Sequence, residues 1–264
     1  MLPKIIFCYW EGKSLNDPIV AACLNSWKRH LTNWQVYFIN DTNIVDFVDM
    51  NFLTTFKGKV SVTSFSDFLR LYLLKKFGGV WMDISTIVLD EGFLNQYYDE
   101  TIHNAFEATV YKFERKLIDF QLYYLESWFL MAKKECRFIA DVYAGMIKAH
   151  EIGFLNYRNF VLSPIKNKLQ GILDFHTEDT YLMMHAIVIY LLHQGNHYAL
   201  NIKDSAKSML RIHHEMNWND HKIAKRLQEP LHKSDFYAIK LTGWDRNQIK
   251  LHGLTSFLHN IQSV

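Results

Sequence analysis

The sequence predicts an α/β protein built on a doubly wound, mostly parallel sheet, with additional helices in its C-terminal half. Three observations predict it. The first hundred or so residues alternate strand-like apolar runs with helical patterns, the order in which crossover helices join parallel strands. The runs at residues 4–10 and 80–89 are almost continuously apolar, as in strands covered on both faces. Gly78-Gly79 separates a helical pattern from a strand pattern with no other spacer, which is how a left-handed turn ends a helix.

Residues 4–10 (Lys-Ile-Ile-Phe-Cys-Tyr-Trp) read as the first strand, and Glu11, Gly12 and Lys13 as the loop after it. Asp17 and Pro18 open a helix that runs to about His30, with Pro18 in the first turn, where a missing N–H costs nothing. Residues 34–40 form a second strand ending in the turn-prone Asp41-Thr42-Asn43. A short helix over residues 44–50 leads to a loop at Gly58. Ser64 is the expected cap of the next helix, which Gly78 and Gly79 end, and residues 80–89 follow as one strand. Further on, the patterns predict short strands at 103–107 and 126–132 and helices at 136–150 and 177–193. Residues 203–212 are weakly patterned, and the tail at 237–244 ends in a turn that could fold back over the sheet. No Gly/Ser linker, low-complexity segment or internal repeat marks a boundary. Residues 1–264 are therefore expected to form one domain, with halves of about 1–110 and 111–264.

Residues 64–89 carry charges where a purely structural element would not put them. The helix is apolar around nearly its whole circumference, as in a buried helix, yet Asp67 and Arg70 lie on it beside Leu71 and Leu74. One reading is a capping aspartate with an i,i+3 partner, worth a few tenths of a kcal/mol. The other is a buried pair that holds something. Asp83 interrupts the apolar strand, and Ser85, two residues on, shares its face by strand alternation. A carboxylate in such a run points to a ligand at the carboxyl end of the strand, where open α/β sheets bind their substrates.

Net charge is +2 and the isoelectric point about 8.3, so no nucleic-acid footprint is present. The basic and histidine-rich stretch at 213–233 suits either an ordinary solvated helix or an anionic membrane surface. Cys8, Cys23 and Cys136 are odd in number and far apart, which gives neither a disulfide framework nor a metal knuckle and fits a reducing cytosol. The N-terminus enters a strand without a signal-peptide pattern, and the apolar stretch at 181–192 is too short to span a bilayer. A cytoplasmic location is expected, at the inner face of the membrane if the protein is peripheral.

The stretch Ser66-Asp67-Phe68-Leu69-Arg70 … Gly78-Gly79-Val80-Trp81-Met82-Asp83 resembles the sugar-binding "DxD" segment of nucleotide-sugar glycosyltransferases of the GT-A fold. Within that group it looks most like the bacterial capsular polysaccharide synthesis transferases. It is more distantly similar to yeast outer-chain mannosyltransferases and to the large clostridial glucosylating toxins. The resemblance extends to residues 4–10 with Gly12, to Asp41-Thr42-Asn43, to Ser127-Trp128-Phe129 and to Lys240-Leu241-Thr242-Gly243-Trp244. It implies a GT-A-like, Rossmann-like fold and transfer of a sugar from a nucleoside-diphosphate sugar, a UDP-sugar foremost, to a hydroxyl of a growing surface glycan. Retention of anomeric configuration is implied with it. Tyr9 and Trp10 match the aromatic edge that meets the nucleotide base, where stacking is worth roughly 1–3 kcal/mol; a core tryptophan is the competing reading. Asn43 matches a polar contact to the base, with a simple turn cap as its alternative. Asp67 and Arg70 match the pair that holds donor sugar and phosphate, Arg70 also offsetting charge on the leaving diphosphate. Asp83 matches the first motif aspartate, beside the metal.

The sequence departs from that pattern at the second motif position, where Ser85 replaces the aspartate that ligates Mn²⁺ or Mg²⁺ in relatives. Hard divalent cations prefer carboxylate oxygens, so Asp83 and Ser85 make a poor metal pair and metal dependence is open. Lys240 offers a compensating positive charge, and Thr242-Gly243-Trp244 resembles the hydroxyl-x-Trp group that relatives place near the β-phosphate. Ser127, Trp128 and Asp179 are candidates for the acceptor side, against core packing for Trp128 and helix capping for Glu178 and Asp179. The acceptor is a glycan, lipid-linked or free. His213, His214, Glu215 and His221 fit no zinc spacing and read as a solvated polar segment. Two other functions stay open: a glycosyltransferase acting on protein, and a non-catalytic nucleotide-sugar-binding module.

Overall fold

The computed structural model describes residues 1–113, 124–169 and 181–262. The class is α/β with a mostly parallel central sheet, as the sequence predicts. In chain order come β1 (Ile5–Tyr9), α1 (Pro18–His30), β2 (Gln35–Ile39), α2 (Met50–Phe56), α3 (Val62–Phe77), β3 (Gly79–Met82), β4 (Thr86–Val88) and α4 (Gly92–His103). They are followed by β5 (Ala108–Phe113), β6 (Tyr124–Ala132), α5 (Arg137–Ile152), α6 (Phe154–Asn156), α7 (Met183–His193) and β7 (Leu200–Asp204). The last are α8 (Arg211–Glu215), α9 (Asp220–Arg226), β8 (Ala238–Lys240), α10 (Gly243–His252) and α11 (Leu254–Gln262). The chain divides into two compact units, one of Met1–Pro3, Asn43–Trp81 and Thr101–Lys203, the other of Lys4–Thr42, Met82–Glu100 and Asp204–Val264.

In the first unit the strand order is β3-β6-β5-β7, and β5 runs antiparallel to β6 with a register shift between Val110 and Lys112. Helix α3 buries Phe65, Phe68, Leu69, Leu71, Leu73 and Leu74, and Phe68 stacks on Phe56 of α2 at 4.1 Å. Ser61, not Ser64, caps α3, its hydroxyl accepting from the Ser64 N–H, while Ser64 itself is buried one turn inside. The helix ends as expected at Gly78, whose φ of 71° and ψ of −163° lie in a region essentially closed to other residues. A side-chain carbon there would also come within 2.5 Å of the Lys134 backbone nitrogen. Gly78→Ala is therefore expected to destabilise the protein by about 2–5 kcal/mol, read as a lower urea midpoint at unchanged slope.

In the second unit β1 and β2 are parallel, Ile5 to Tyr9 facing Gln35 to Ile39 in register. Asp17 caps α1 by accepting from the Ile19 and Val20 N–H groups. A separate antiparallel pair joins β4 to β8, with Thr86 opposite Lys240 and Val88 opposite Ala238. Side chains of α1 hold the other edge of β4: Trp27 donates to the Thr86 carbonyl, and Ser26 accepts from the Val88 N–H. Such cover keeps a two-stranded edge from pairing with another chain. Around this pair Ile19, Cys23, Ile87, Leu89, Ile239, Leu241, Ile249 and Phe257 form an apolar cluster.

Several expectations need correction. The strand expected over 80–89 is two strands, β3 and β4, and Asp83 and Ser85 lie in the bend between them, so strand alternation does not apply to that pair. The helix expected at 44–50 is a 3₁₀ turn at Ile44–Asp46 followed by α2. The short strand expected at 103–107 is displaced to β5, because α4 extends to His103. The tail ends not in a turn but in α10, with Thr242 as its N-cap. Of the helix expected at 177–193, residues 177–180 lie outside the described residues and the rest contains α7. Among the described residues, no helix is long and apolar enough to cross a membrane.

Candidate functional site

On α3, Asp67 and Arg70 are both buried, at 5% and 4% exposure, and they pair with each other. Arg70 Nη1 lies 2.9 Å from Asp67 Oδ1, and Nη2 donates to Ser66 Oγ at 3.1 Å. The guanidinium lies over the Trp81 ring, 5.1 Å from its centroid. The pair is thus i,i+3 as expected, but it is no surface pair. Burying both charges carries a desolvation cost that an ordinary helix cap does not incur. Asn43 precedes the Ile44–Asp46 turn, its carbonyl accepting from the Asp46 N–H. Ser127 is half-buried on β6, and Trp128 is buried and stacked on Tyr111 at 4.9 Å. Asp179 lies outside the described residues.

In the other unit, two loops meet at the carboxyl ends of the parallel strands β1 and β2. Tyr9 donates its phenol to Asp41 Oδ1 at 3.0 Å, and the Gly12 N–H donates to Asp41 Oδ2 at 3.1 Å. The Asp41 N–H returns a bond to the Gly12 carbonyl. Burial, the Asp41 hydrogen bond and the Asp41 charge together hold the Tyr9 phenol well above its usual pKa. Trp10, next along, is half-buried, and the Arg246 guanidinium sits over its ring at 5.8 Å. The sequence names Asp41 only as part of the Asp41-Thr42-Asn43 turn and gives it no role at a site, and Arg246 it does not name. The Asp-Thr-Asn turn after an apolar strand was a signal for the first, and nothing local marks the second.

The bend between β3 and β4 lies against β8 in that same unit. Lys240, 7% exposed, donates from Nζ to Ser85 Oγ at 2.7 Å and to the Leu241 carbonyl at 3.0 Å. Asp83 Oδ2 is 3.4 Å from the same Nζ, and the Asp83 side chain is 30% exposed. Ser85 Oγ in turn donates a hydrogen bond to the Leu241 carbonyl at 3.1 Å. Burial lowers the Lys240 pKa, Asp83 pulls it back up, and Arg246 pushes it down again. The structure therefore brings Asp83, Ser85 and Lys240 together, with Asp83 and Ser85 about the Lys240 ammonium.

This donor set does not suit a divalent cation. Ser85 spends its hydroxyl proton on Leu241 and takes the Lys240 ammonium on its oxygen, which leaves Asp83 as the one carboxylate of the trio. Manganese or magnesium would have to enter beside a cation already in place.

Helix α10 starts directly after Lys240-Leu241. Thr242 accepts from the Asp245 N–H at 3.2 Å, and the Thr242 N–H donates to Asp245 Oδ2 at 2.6 Å, a reciprocal capping box. Trp244, in the first turn, is 68% exposed. Asp245 Oδ2 also meets His213 Nε2 at 2.8 Å, both side chains 1% exposed. Burial alone would raise the Asp245 pKa, but the His213 hydrogen bond and charge and the Thr242 N–H together lower it. His213 is thus a buried partner and not part of a solvated segment, whereas His214, Glu215 and His221 are exposed.

Residues 2–251 match the family described as capsular polysaccharide synthesis protein. No curated protein sequence matches the chain. Among solved structures, the chain is similar to the PaToxG glycosyltransferase at 13% identity and a TM-score of 0.41, over 99% of this chain and 87% of that one. It is similar to a glycosyltransferase involved in the glycosylation of the major capsid of PBCV-1 at 9% identity and a TM-score of 0.47, over 94% and 99%. It is also similar to an active-site mutant of LgtC at 10% identity and a TM-score of 0.44, over 90% and 87%.

Proposed function

The chain belongs to the capsular polysaccharide synthesis protein family, and from that premise we propose that it is a glycosyltransferase using a nucleoside-diphosphate sugar, a UDP-sugar foremost, as donor. The observation that carries this reading is Asp83: a partly exposed carboxylate set in the bend after β3, with a buried ammonium 3.4 Å away. Strand ends of open α/β sheets are where such groups meet ligands. Asp67 and Arg70 hold the sugar and phosphate, Tyr9, Trp10 and Asn43 meet the nucleoside, and Lys240, Thr242 and Trp244 take the diphosphate. The acceptor is a glycan hydroxyl, free or lipid-linked, with Ser127, Trp128 and Asp179 on its side; a lipid-linked acceptor would bring the protein to the inner face of the membrane.

In the reaction, the bond from the anomeric carbon to the β-phosphate oxygen breaks and a bond from that carbon to the acceptor oxygen forms. The acceptor proton passes to the leaving phosphate. Retention follows if both events occur on one face of the sugar. The enzyme's part is positioning and neutralisation of diphosphate charge, which together supply most of the acceleration in reactions of this kind.

A panel of nucleotide sugars incubated with the protein tests the reading, with slow donor hydrolysis as the readout. Release of free sugar and nucleoside diphosphate from one donor is the expected result. A protein that binds a donor for hours without cleaving it, and transfers to no glycan, would be a binding module instead.

A further inference from the structure

The β4–β8 pair and the first turn of α10 bring two cations, Lys240 and Arg246, to one backbone carbonyl. Lys240 is buried and bonded to Ser85 Oγ and the Leu241 carbonyl. Arg246, half-buried on α10, reaches the same Leu241 carbonyl from Nη1 at 3.5 Å and lies over Trp10. Two cations therefore share one backbone acceptor, and each lies in the field of the other. Asp83 is the carboxylate within reach of Lys240. Asp245, the next acid along α10, is committed to His213 and to the Thr242 N–H.

Two cations brought to one carbonyl, one of them buried, repel each other and cost free energy unless an anion joins them. The part-exposed Asp83 and the exposed Trp244 mark where such an anion could enter. An arginine fork and a buried ammonium are also the two side chains best suited to phosphate oxygens.

We propose that Lys240 and Arg246 together perform the charge-neutralising task of a divalent cation, so that this protein binds the donor diphosphate without metal. The inference rests on the donor reading above. It goes beyond that reading by adding Arg246 to the site and by assigning the metal's role to side chains. Ser85 fits this assignment: an aspartate there would set a second carboxylate on the ammonium beside Asp83, whereas a hydroxyl orients it and adds no negative charge.

Calorimetric titration of the full chain with uridine, thymidine, guanosine and adenosine diphosphates tests it, once in excess EDTA and once in manganese chloride. One diphosphate is expected to bind with affinities that agree within about twofold between the two buffers. Arg246→Gln, a half-exposed change that spares the core, is expected to weaken that diphosphate at least about tenfold in both buffers, and to weaken it more than the parent nucleoside. Lys240→Met is expected to abolish diphosphate binding, with thermal unfolding as the check that the variant folds. Binding that appears only with manganese overturns the inference and leaves the donor reading standing. So does wild-type affinity in Arg246→Gln. If no diphosphate binds in either buffer, the donor reading itself falls, and this inference with it.

Discussion

Asp83→Ala is expected to lower sugar transfer by about 10²–10³-fold, with a smaller fall in the thermal midpoint from the loss of the carboxylate beside the buried Lys240 ammonium. The size follows from the carboxylate's position. It lies in a bend between two strands, part-exposed, so its loss removes no core packing and leaves the β4–β8 pairing intact. Lys240 keeps Ser85 and Leu241 as neutral acceptors, so the variant loses the counter-charge and not the hydrogen bonds that place the ammonium. Arg70→Lys makes a companion test, since lysine keeps the charge beside Asp67 but loses the planar fork that spans Asp67 and Ser66. Transfer near the parental rate in both variants would mean that the chemistry lies elsewhere.

The second large effect is on stability. His213→Ala or Asp245→Ala breaks a pair in which both side chains are 1% exposed, and removal of one partner of such a pair costs about 3–5 kcal/mol. Asp245 matters twice, because the oxygen that meets His213 also accepts the Thr242 N–H and so sets the first turn of α10. A double-mutant cycle over the two residues is expected to show strong coupling, with the double variant less destabilised than the two single losses added together. The pH dependence has a definite sign. The Asp245 pKa in the folded protein lies below its ordinary value of 3.8, so its contribution is complete above that value and disappears as pH falls through the folded pKa. Denaturant midpoints measured downward from about pH 4 are expected to fall more steeply for the parent than for Asp245→Ala. Parallel curves would remove Asp245 from the account of acid stability.

How far this was legible in the sequence differs from element to element. Helix α3, its glycine stop and strands β1 and β2 were readable because each announces itself locally, through an apolar run, a cap or a glycine. Helix α4 was missed although Phe93, Leu94, Tyr97 and Thr101 bury one face of it at helical spacing. Its polar residues and the turn-like Asp90-Glu91-Gly92 before it hid that pattern. The break at Asp83 was hidden for another reason. Residues on both sides are apolar, and only the hydrogen bonds show that one segment leaves its strand partners to pair with β8. His213 looked solvated because its neighbours His214 and Glu215 are, and its partner is 32 residues away. Arg246 fell on a polar stretch where no local feature separates a site residue from a surface one. Asp67, Arg70, Asp83 and Lys240 stand out because each carries charge inside an apolar run, whereas Asp41 and Arg246 sit among polar neighbours.

The span between the partners of one hydrogen bond sets a schedule for biosynthesis. Ser85 leaves the ribosome long before Lys240, which lies 155 residues further on. Until β8 emerges, β4 has one edge tied down by α1 and the other bare. Closing a loop of that length is slow compared with forming the local helices around it. Ribosomes that stall before residue 238 would release chains with an open strand edge, aggregation-prone and lacking the ammonium at the proposed donor site. The proposed donor site is thus completed only late in translation.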